Sequence, residues 1–394
     1  MLEILAIIFL GVLTGVLTGL TPGIHPNTLI FTSMPVYFGL NLDFWIYASF
    51  ISCISVSHTF HDFIPSIFLG VPDPASALSA LPGQKMALQG RGIEAFNYTV
   101  YGGIYAMLCA VVFSAVLYFT LPGIYGFLEP YMAYILLFIL LLIVFKSDTE
   151  RHSALVAALS GVLGLLSFSA PVNQQYVLTP IFGGLFAAPS LLQALSSGDE
   201  IPEQLSISIK SRDHRSGGLL GFLASVPIIV FPGLSSSVAT TFLMPLLKSR
   251  KHFLSAVGGV NTSDIFLSFL TLMAMDRARS GASVAIRTTG NSDAVAFVVA
   301  ASILAMAISV PVALFSVRIF LRSGVLRRQR EISILIFLLL IAASAHLTGP
   351  IGLLIFFTAA SIGCFAAINS DRHACMAVLL APSILFFAGS GMFI

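Results

Sequence analysis

Charge is what this sequence has least of. Asp, Glu, Lys and Arg make up 9% of its 394 residues, against about 25% in a soluble domain. That is too little to cover a water-facing surface of this size, so the outside must be solvated by something apolar. Whole stretches carry none of these residues, from Glu3 to Asp43, Glu94 to Glu129 and Glu331 to Asp371. The four cysteines (Cys53, Cys109, Cys364, Cys375) sit singly in apolar sequence without CxxC spacing, which reads as small buried hydrophobes rather than metal or redox chemistry. No Walker loop, post-strand GxGxxG or HExxH occurs, and no soluble portion is large enough for a nucleotide domain. The basic residues are scattered, which gives nucleic-acid binding no support. The N-terminus lacks the basic region of a signal peptide, and its apolar run continues past any cleavage site.

What is present is apolar length. Hydrophobic residues make up 57% of the chain, and a spanning helix needs about 20 of them in succession. Only helices and closed barrels satisfy their backbone in lipid. Barrel strands alternate polar and apolar residues, which Ile135 to Phe145 does not do. The expectation is an all-α polytopic membrane protein. Its apolar segments run over about 2–20, 24–40, 44–57, 63–70, 96–120, 130–146, 153–170, 174–195, 218–247, 253–275, 293–321, 332–347, 350–368 and 374–392. Gly11, Gly15 and Gly19 form a small-xxx-small ladder that admits a close helix neighbour.

Ser196 to Gly217 holds Asp199, Glu200, Glu203, Lys210, Arg212, Asp213 and Arg215, and so reads as a polar linker in water. It divides the chain into 1–195 and 218–394. Pro22-Gly23 and Pro232-Gly233 each open a polar patch followed by an apolar run to Met-Pro, 210 residues apart. His58-Thr59 answers to Asn261-Thr262 and Asp73 to Asp276, 203 apart. The same order of elements on both sides predicts two repeated halves with broken or re-entrant helical hairpins, a common plan for secondary transporters. By the positive-inside rule the loops around Lys146/Arg151, Lys210/Arg215, Lys248/Arg250/Lys251 and Arg322/Arg330 are cytoplasmic candidates.

Polar groups inside apolar sequence carry the functional information, because burying one without a partner costs several kcal/mol. Pro22, Gly23, His25, Asn27 and Thr28, with Pro232, Gly233, Ser235, Ser236 and Ser237, read as half-helix starts whose N–H groups hold an anion, or as capped turns between spans. In Ser57 to Asp62, His58 and Asp62 stand one helical turn apart and can pair, which suits proton transfer; Thr59 and His61 accompany them. Leu69 to Arg91 is too rich in proline for a continuous helix and reads as a re-entrant hairpin carrying Asp73 and Lys85, with Arg91 as a plain basic residue. Gly258 to Asp264 offers Asn261, Thr262 and Asp264 as oxygen ligands. The cluster Asp276/Arg277/Arg279 reads as an interfacial loop, though one arginine there could grip an anion bidentately.

Pro72, Ala75-Ser76-Ala77 and Met86-Ala87-Leu88-Gln89-Gly90-Arg91, with Gly15/Gly19 and Pro22-Gly23 echoed at Pro232-Gly233, resemble the TctA family, the large permease subunit of tripartite tricarboxylate transporters. The chain departs from it in length, in Pro82-Gly83 where an acidic Asp-Gly is usual, and in His25-Pro26-Asn27-Thr28 in place of a Gly-rich stretch. Short, His-containing versions are typical of archaeal relatives, so a citrate-like specificity does not follow from the resemblance. Pro232-Gly233-Leu234-Ser235-Ser236 also resembles the turns of a polyprenyl-phosphate translocase family.

The expected function is a secondary active permease for an organic anion such as a carboxylate, not an enzyme, in the cell membrane. Pro22–Thr28, Pro232–Ser237 and Lys85 would hold substrate. His58, Thr59, His61, Asp62, Asp73, Asn261, Thr262 and Asp264 would serve coupling to H+ or Na+, with no cofactor or metal. The alternative is translocation of a lipid-linked phosphate. Expected partners are the small anion or that lipid, membrane lipid and a second copy in a homodimer, with no nucleic acid. An intramembrane hydrolase is disfavoured, because Ser57 and His58 face apart on a helix.

Overall fold

The computed structural model describes residues 2–21, 26–70, 80–197, 202–205, 211–234, 236, 239–240, 249–289, 295–369 and 371–389. Among them the regular structure is helical, without strands. The chain opens with α1 (Leu2–Leu20), α2 (Pro26–Leu40), α3 (Phe44–His61) and short α4 (Phe63–Phe68). α5 (Ala80–Ala87), α6 (Gly92–Leu128), α7 (Met132–Phe145) and α8 (Glu150–Ser169) follow. α9 (Leu178–Phe182) passes through a π-helical turn, Gly183–Ala187, into α10 (Ala188–Ser197). Beyond lie α11 (Ser211–Val230), α12 (Arg250–Met275), α13 (Gly281–Thr289), α14 (Val295–Arg322), α15 (Gln329–Ile368) and α16 (Ala377–Phe387).

Six helical stretches among the described residues are long and apolar enough to cross a membrane. Two of them, Gly92–Phe145 with 54 residues and Arg330–Ile368 with 39, exceed the ~20 residues of one crossing, and both are interrupted. A 3-10 turn at Glu129–Tyr131 separates α6 from α7, and α15 kinks where Gly349 (φ 68°) precedes Pro350. α12 is the least apolar of the six and the most enclosed, with 89% of its span buried. Its polar residues therefore face protein, not lipid. The polar linker gives way to helix at Ser211, earlier than its charges imply. The segment Pro202–Leu205 straps the start of α6: Gly92 N donates to Gln204 Oε1 (2.7 Å) and Leu205 N to Gly90 O (2.8 Å).

The glycine ladder works as its spacing predicts. A Cβ at Gly11, Gly15 or Gly19 would lie 2.7, 2.5 or 2.6 Å from the Cβ of Cys53, Ser57 or His61, so α1 and α3 run parallel in near-backbone contact. α11 and α12 pack alike. A Cβ at Gly217 would meet Ser255 Cβ at 2.6 Å, one at Gly221 would meet Gly259 Cα at 2.8 Å, and Ser263 Oγ donates to Ser225 Oγ at 3.0 Å.

Helix direction follows from contacts at the two ends. α6 and α12 run together, joined at their starts by Glu94–Lys251 (2.6 Å) and at their finishes by Tyr125–Arg277 (2.7 Å). α3–α4 and α14 run together, from Trp45 on Phe297 to Phe68 on Phe320. Phe68 also lies against Gly92 at the start of α6. The unit α1–α3–α4–α14 therefore finishes where the unit α6–α11–α12 begins. α6 packs most extensively on α12 and α11 of the other half of the chain, while α14 packs on α3 of the first half.

At the end of α15, Asp371 gathers the α7–α8 corner. Ser147 Oγ donates to it, Thr149 Oγ1 donates at 2.7 Å, and His152 Nδ1 lies at 2.8 Å. Burial favours the neutral acid, but the two hydroxyls and the imidazole outweigh it and hold the carboxyl below its ordinary value. A carboxylate depressed on folding adds stability above its unfolded pKa of about 3.9 and loses it as pH falls through the lower folded value. The detergent-solubilised protein should therefore lose thermal stability as pH drops below about 4, and Asp371→Asn should flatten that limb of a midpoint-versus-pH plot. Gly15→Leu should cost about 1–3 kcal/mol through overpacking. Gly39→Leu, at a position with nothing within 4 Å, should leave the melting midpoint in place.

Candidate substrate and ion site

Where α3 crosses α12, polar side chains from both halves meet inside apolar surroundings. Asn261 Nδ2 donates to Asp62 Oδ2 at 2.9 Å, and Thr59 Oγ1 donates to Thr262 Oγ1 at 3.4 Å. All four residues are at most 5% exposed. On the α1 side, His58 Nδ1 lies 3.1 Å from Thr18 Oγ1, and Ser57 Oγ donates to Val12 O at 2.9 Å. The close approach of α1 and α3 makes these bonds possible. His61 Nδ1 faces Ser57 O at 2.7 Å, while its buried Nε2 has no partner among the described residues. One turn along α12 from the Asn261 contact, Ser236 Oγ donates to Asp264 Oδ2 at 3.4 Å. α6 closes the cluster: a Cβ at Gly103 would come 2.7 Å from Thr262 Oγ1. Two carboxylates, an amide and several hydroxyls thus sit where a proton or small cation could be held.

The second Pro-Gly turn opens onto a cavity of about 850 Å³, lined by Tyr125, Ser169, Pro232, Gly233, Arg277 and Arg279 among others. Gly233 has φ +76°, a left-handed conformation that glycine adopts without strain. Arg277 Nη1 donates to Tyr125 Oη (2.7 Å) and Nη2 to Glu129 Oε1 (3.0 Å); Arg279 Nη2 donates to Val230 O (3.0 Å). The two guanidinium carbons lie 4.1 and 5.4 Å from the Tyr125 ring centroid. The half-exposed Arg277–Glu129 pair is worth at most about 1 kcal/mol, so a better acceptor could replace it.

At the opposite end Glu94 is fully buried and clamped by Arg91 (2.7 Å) and Lys251 (2.6 Å). Arg91, expected as a plain basic residue, is thus half of an ion clamp. A groove of about 1000 Å³ beside it is lined by Asn97, Tyr101, Gln204, Arg318 and Arg322 among others.

Of the residues singled out by sequence, His58, Thr59, His61, Asp62, Asn261, Thr262, Asp264 and Ser236 gather in and around the crossing cluster. Asn27 and Thr28 open α2, with Asn27 against Gly281 at the start of α13. Lys85 is exposed on α5, at the Glu94 end of the molecule and away from the Pro232-Gly233 turn. Pro22, Gly23, His25, Asp73, Ser235 and Ser237 lie outside the described residues, as does the tip of the expected hairpin, 71–79. Sequence reasoning missed Thr18, although a hydroxyl beside the glycine ladder was a visible signal. It gave Tyr125 no role, and an aromatic residue in a long apolar helix offers no signal.

Comparison with known proteins supplies the family. The model of the Tripartite tricarboxylate transporter TctA family matches residues 5–377. An uncharacterized protein of Methanocaldococcus jannaschii is 28% identical over 401 residues, covering 98% of this chain and 99% of that protein. No solved structure matches. A multi-pass helical membrane protein matched by one family model over nearly its whole length, the chain belongs to the Tripartite tricarboxylate transporter TctA family.

Proposed function

We propose that this chain is a secondary active permease that carries an organic anion such as a carboxylate by alternating access, driven by H+ or Na+. Family membership gives the coarse part of this reading, a component of a tricarboxylate transporter, and is consistent with a role other than enzyme. The observation that carries the rest is the buried bridge between the halves, Asp62 to Asn261 and Thr59 to Thr262. Cation or proton binding there acts on the joint between the units.

The repeat belongs to the same proposal, with halves at 1–195 and 218–394 around the linker 196–217. Ser255, Gly259 and Ser263 on α12 hold the positions that Cys53, Ser57 and His61 hold on α3, each 202 residues later. That register pairs Asp62 with Asp264, one residue away from the match read by eye. The paired units run in opposite directions, which supports an inverted repeat. The loops at Lys146/Arg151, Arg250/Lys251 and Arg322/Arg330 come to the Glu94 end, which the positive-inside rule makes cytoplasmic. The cavity at Arg277 then faces the other compartment.

Proteoliposomes should take up at least one of a panel of carboxylates, citrate and succinate among them, when a proton or sodium gradient is imposed, and not without one. Leaving a buried partner unsatisfied costs about 1–3 kcal/mol, so Asp62→Asn and Asp264→Asn should each lower gradient-driven uptake roughly tenfold or more. Asp43→Asn, at the start of α3, should not. Uptake of no carboxylate under either gradient, with polyprenyl phosphate co-purifying in mass spectra, would turn the reading to lipid-carrier translocation.

A further inference from the structure

Among the described residues, the cavity at the Arg277 end carries more positive charge than its neighbours neutralise. Arg277 and Arg279 share one aromatic ring, and the only carboxylate bonded to them among the described residues is that of Glu129. Asp276, next in sequence, is bonded to Arg287 (3.1 Å). Both guanidinium groups lie within 5.4 Å of the Tyr125 ring centroid, and an additional anion there would offset their like charge. Arg279 also has a buried Nε with no hydrogen-bond partner among the described residues. Arg279 lines the cavity, and a guanidinium there can offer two N–H groups to the two oxygens of a carboxylate. The floor of the cavity is the Pro232-Gly233 turn, where Gly233 lies against Ser383. Phe168 and Phe386 add aromatic rings to its lining. None of this depends on the buried cluster between α3 and α12.

We propose that this cavity is a carboxylate-binding vestibule for a small di- or tricarboxylate, one carboxylate taken by Arg279 and another by Arg277 as it exchanges Glu129. The proposal deepens the transport reading and rests on it for the ligand class. The ligand would first bind here, on the side opposite the basic end, before reaching the polar crossing.

Isothermal titration of the detergent-purified full chain with citrate, succinate and propionate tests it. Citrate or succinate should bind with a distinctly lower dissociation constant than propionate, which has a single carboxylate. Arg279→Gln and Arg277→Gln should each weaken that binding roughly tenfold or more. Arg279→Lys, which keeps the charge and loses the fork, should fall between wild type and Arg279→Gln. Arg287→Gln should bind as wild type. Failure of both citrate and succinate to bind wild type overturns the vestibule, and so does a citrate constant unchanged within about twofold in the Arg277→Gln/Arg279→Gln double variant when its melting midpoint is retained. The two readings fail separately. Arginine-dependent binding without gradient-driven uptake leaves the vestibule and removes transport. Gradient-driven uptake that survives the double variant does the reverse.

Discussion

A polar side chain buried in a membrane protein must find a partner within the protein, and the α3–α12 crossing is where this chain meets that demand most heavily. An isolated buried polar group costs several kcal/mol, whereas a hydrogen bond between transmembrane helices returns on average about 0.6 and at most about 1.7 kcal/mol. Asp62, Asn261, Thr59 and Thr262 thus satisfy one another without making the bundle more stable than leucines in their place would. Their chemistry is the gain. The cluster also depends on backbone proximity, because Thr18 reaches His58 and Val12 O reaches Ser57 only when α1 lies as close to α3 as its glycines permit.

That dependence explains which parts of the molecule could be read in the sequence. Helices in lipid are announced by apolar length, so α1, α7, α8 and α12 fall close to their expected bounds. The ladder Gly11/Gly15/Gly19 names its own face, because three glycines at a spacing of four share one side of a helix. Its partner face, Cys53/Ser57/His61, carries mixed residue types and could not be named in advance. The proposed repeat pairs the halves at 202 residues by helix phase, whereas matching Thr59 to Thr262 by residue type gives 203. The Pro-Gly turn at 232 was visible as a helix breaker. The arginines that share its cavity were not, because they lie more than forty positions downstream and join it only when α12 finishes beside α6 and α11.

Charge placement gives the bundle a direction. The Glu94 clamp holds α6 to α12 inside one unit, and the Asp371 knot holds the α7–α8 corner to the end of α15. Both lie where basic residues collect. The arginines at the far end differ in kind, being stacked on Tyr125 and only partly neutralised. An anion approaching from that side meets cationic donors at the mouth and carboxylates at the crossing. On the transport reading proposed above, a cation or proton held at Asp62 and Asp264 would ease its passage to the centre.

The same arrangement says where movement is cheapest. Within each unit, α1 on α3 and α11 on α12, helices touch backbone to backbone, and such packing tolerates little shear. Between the units, Asp62 to Asn261 and Thr59 to Thr262 are side-chain hydrogen bonds, while Phe68 on Gly92 is an apolar contact. Apolar faces slide at small cost, whereas a buried carboxylate that loses its amide donor leaves both groups unsatisfied. On the proposed reading, the bond at Asp62 would therefore resist rocking one unit against the other. A cation or proton that neutralises Asp62 would lower the penalty for letting Asn261 go, leaving only the freed amide to be satisfied, and would so shift the balance between two orientations of the units. Ion occupancy and unit movement would then be one equilibrium under the proposed transport reading, tied at a residue that both depend on.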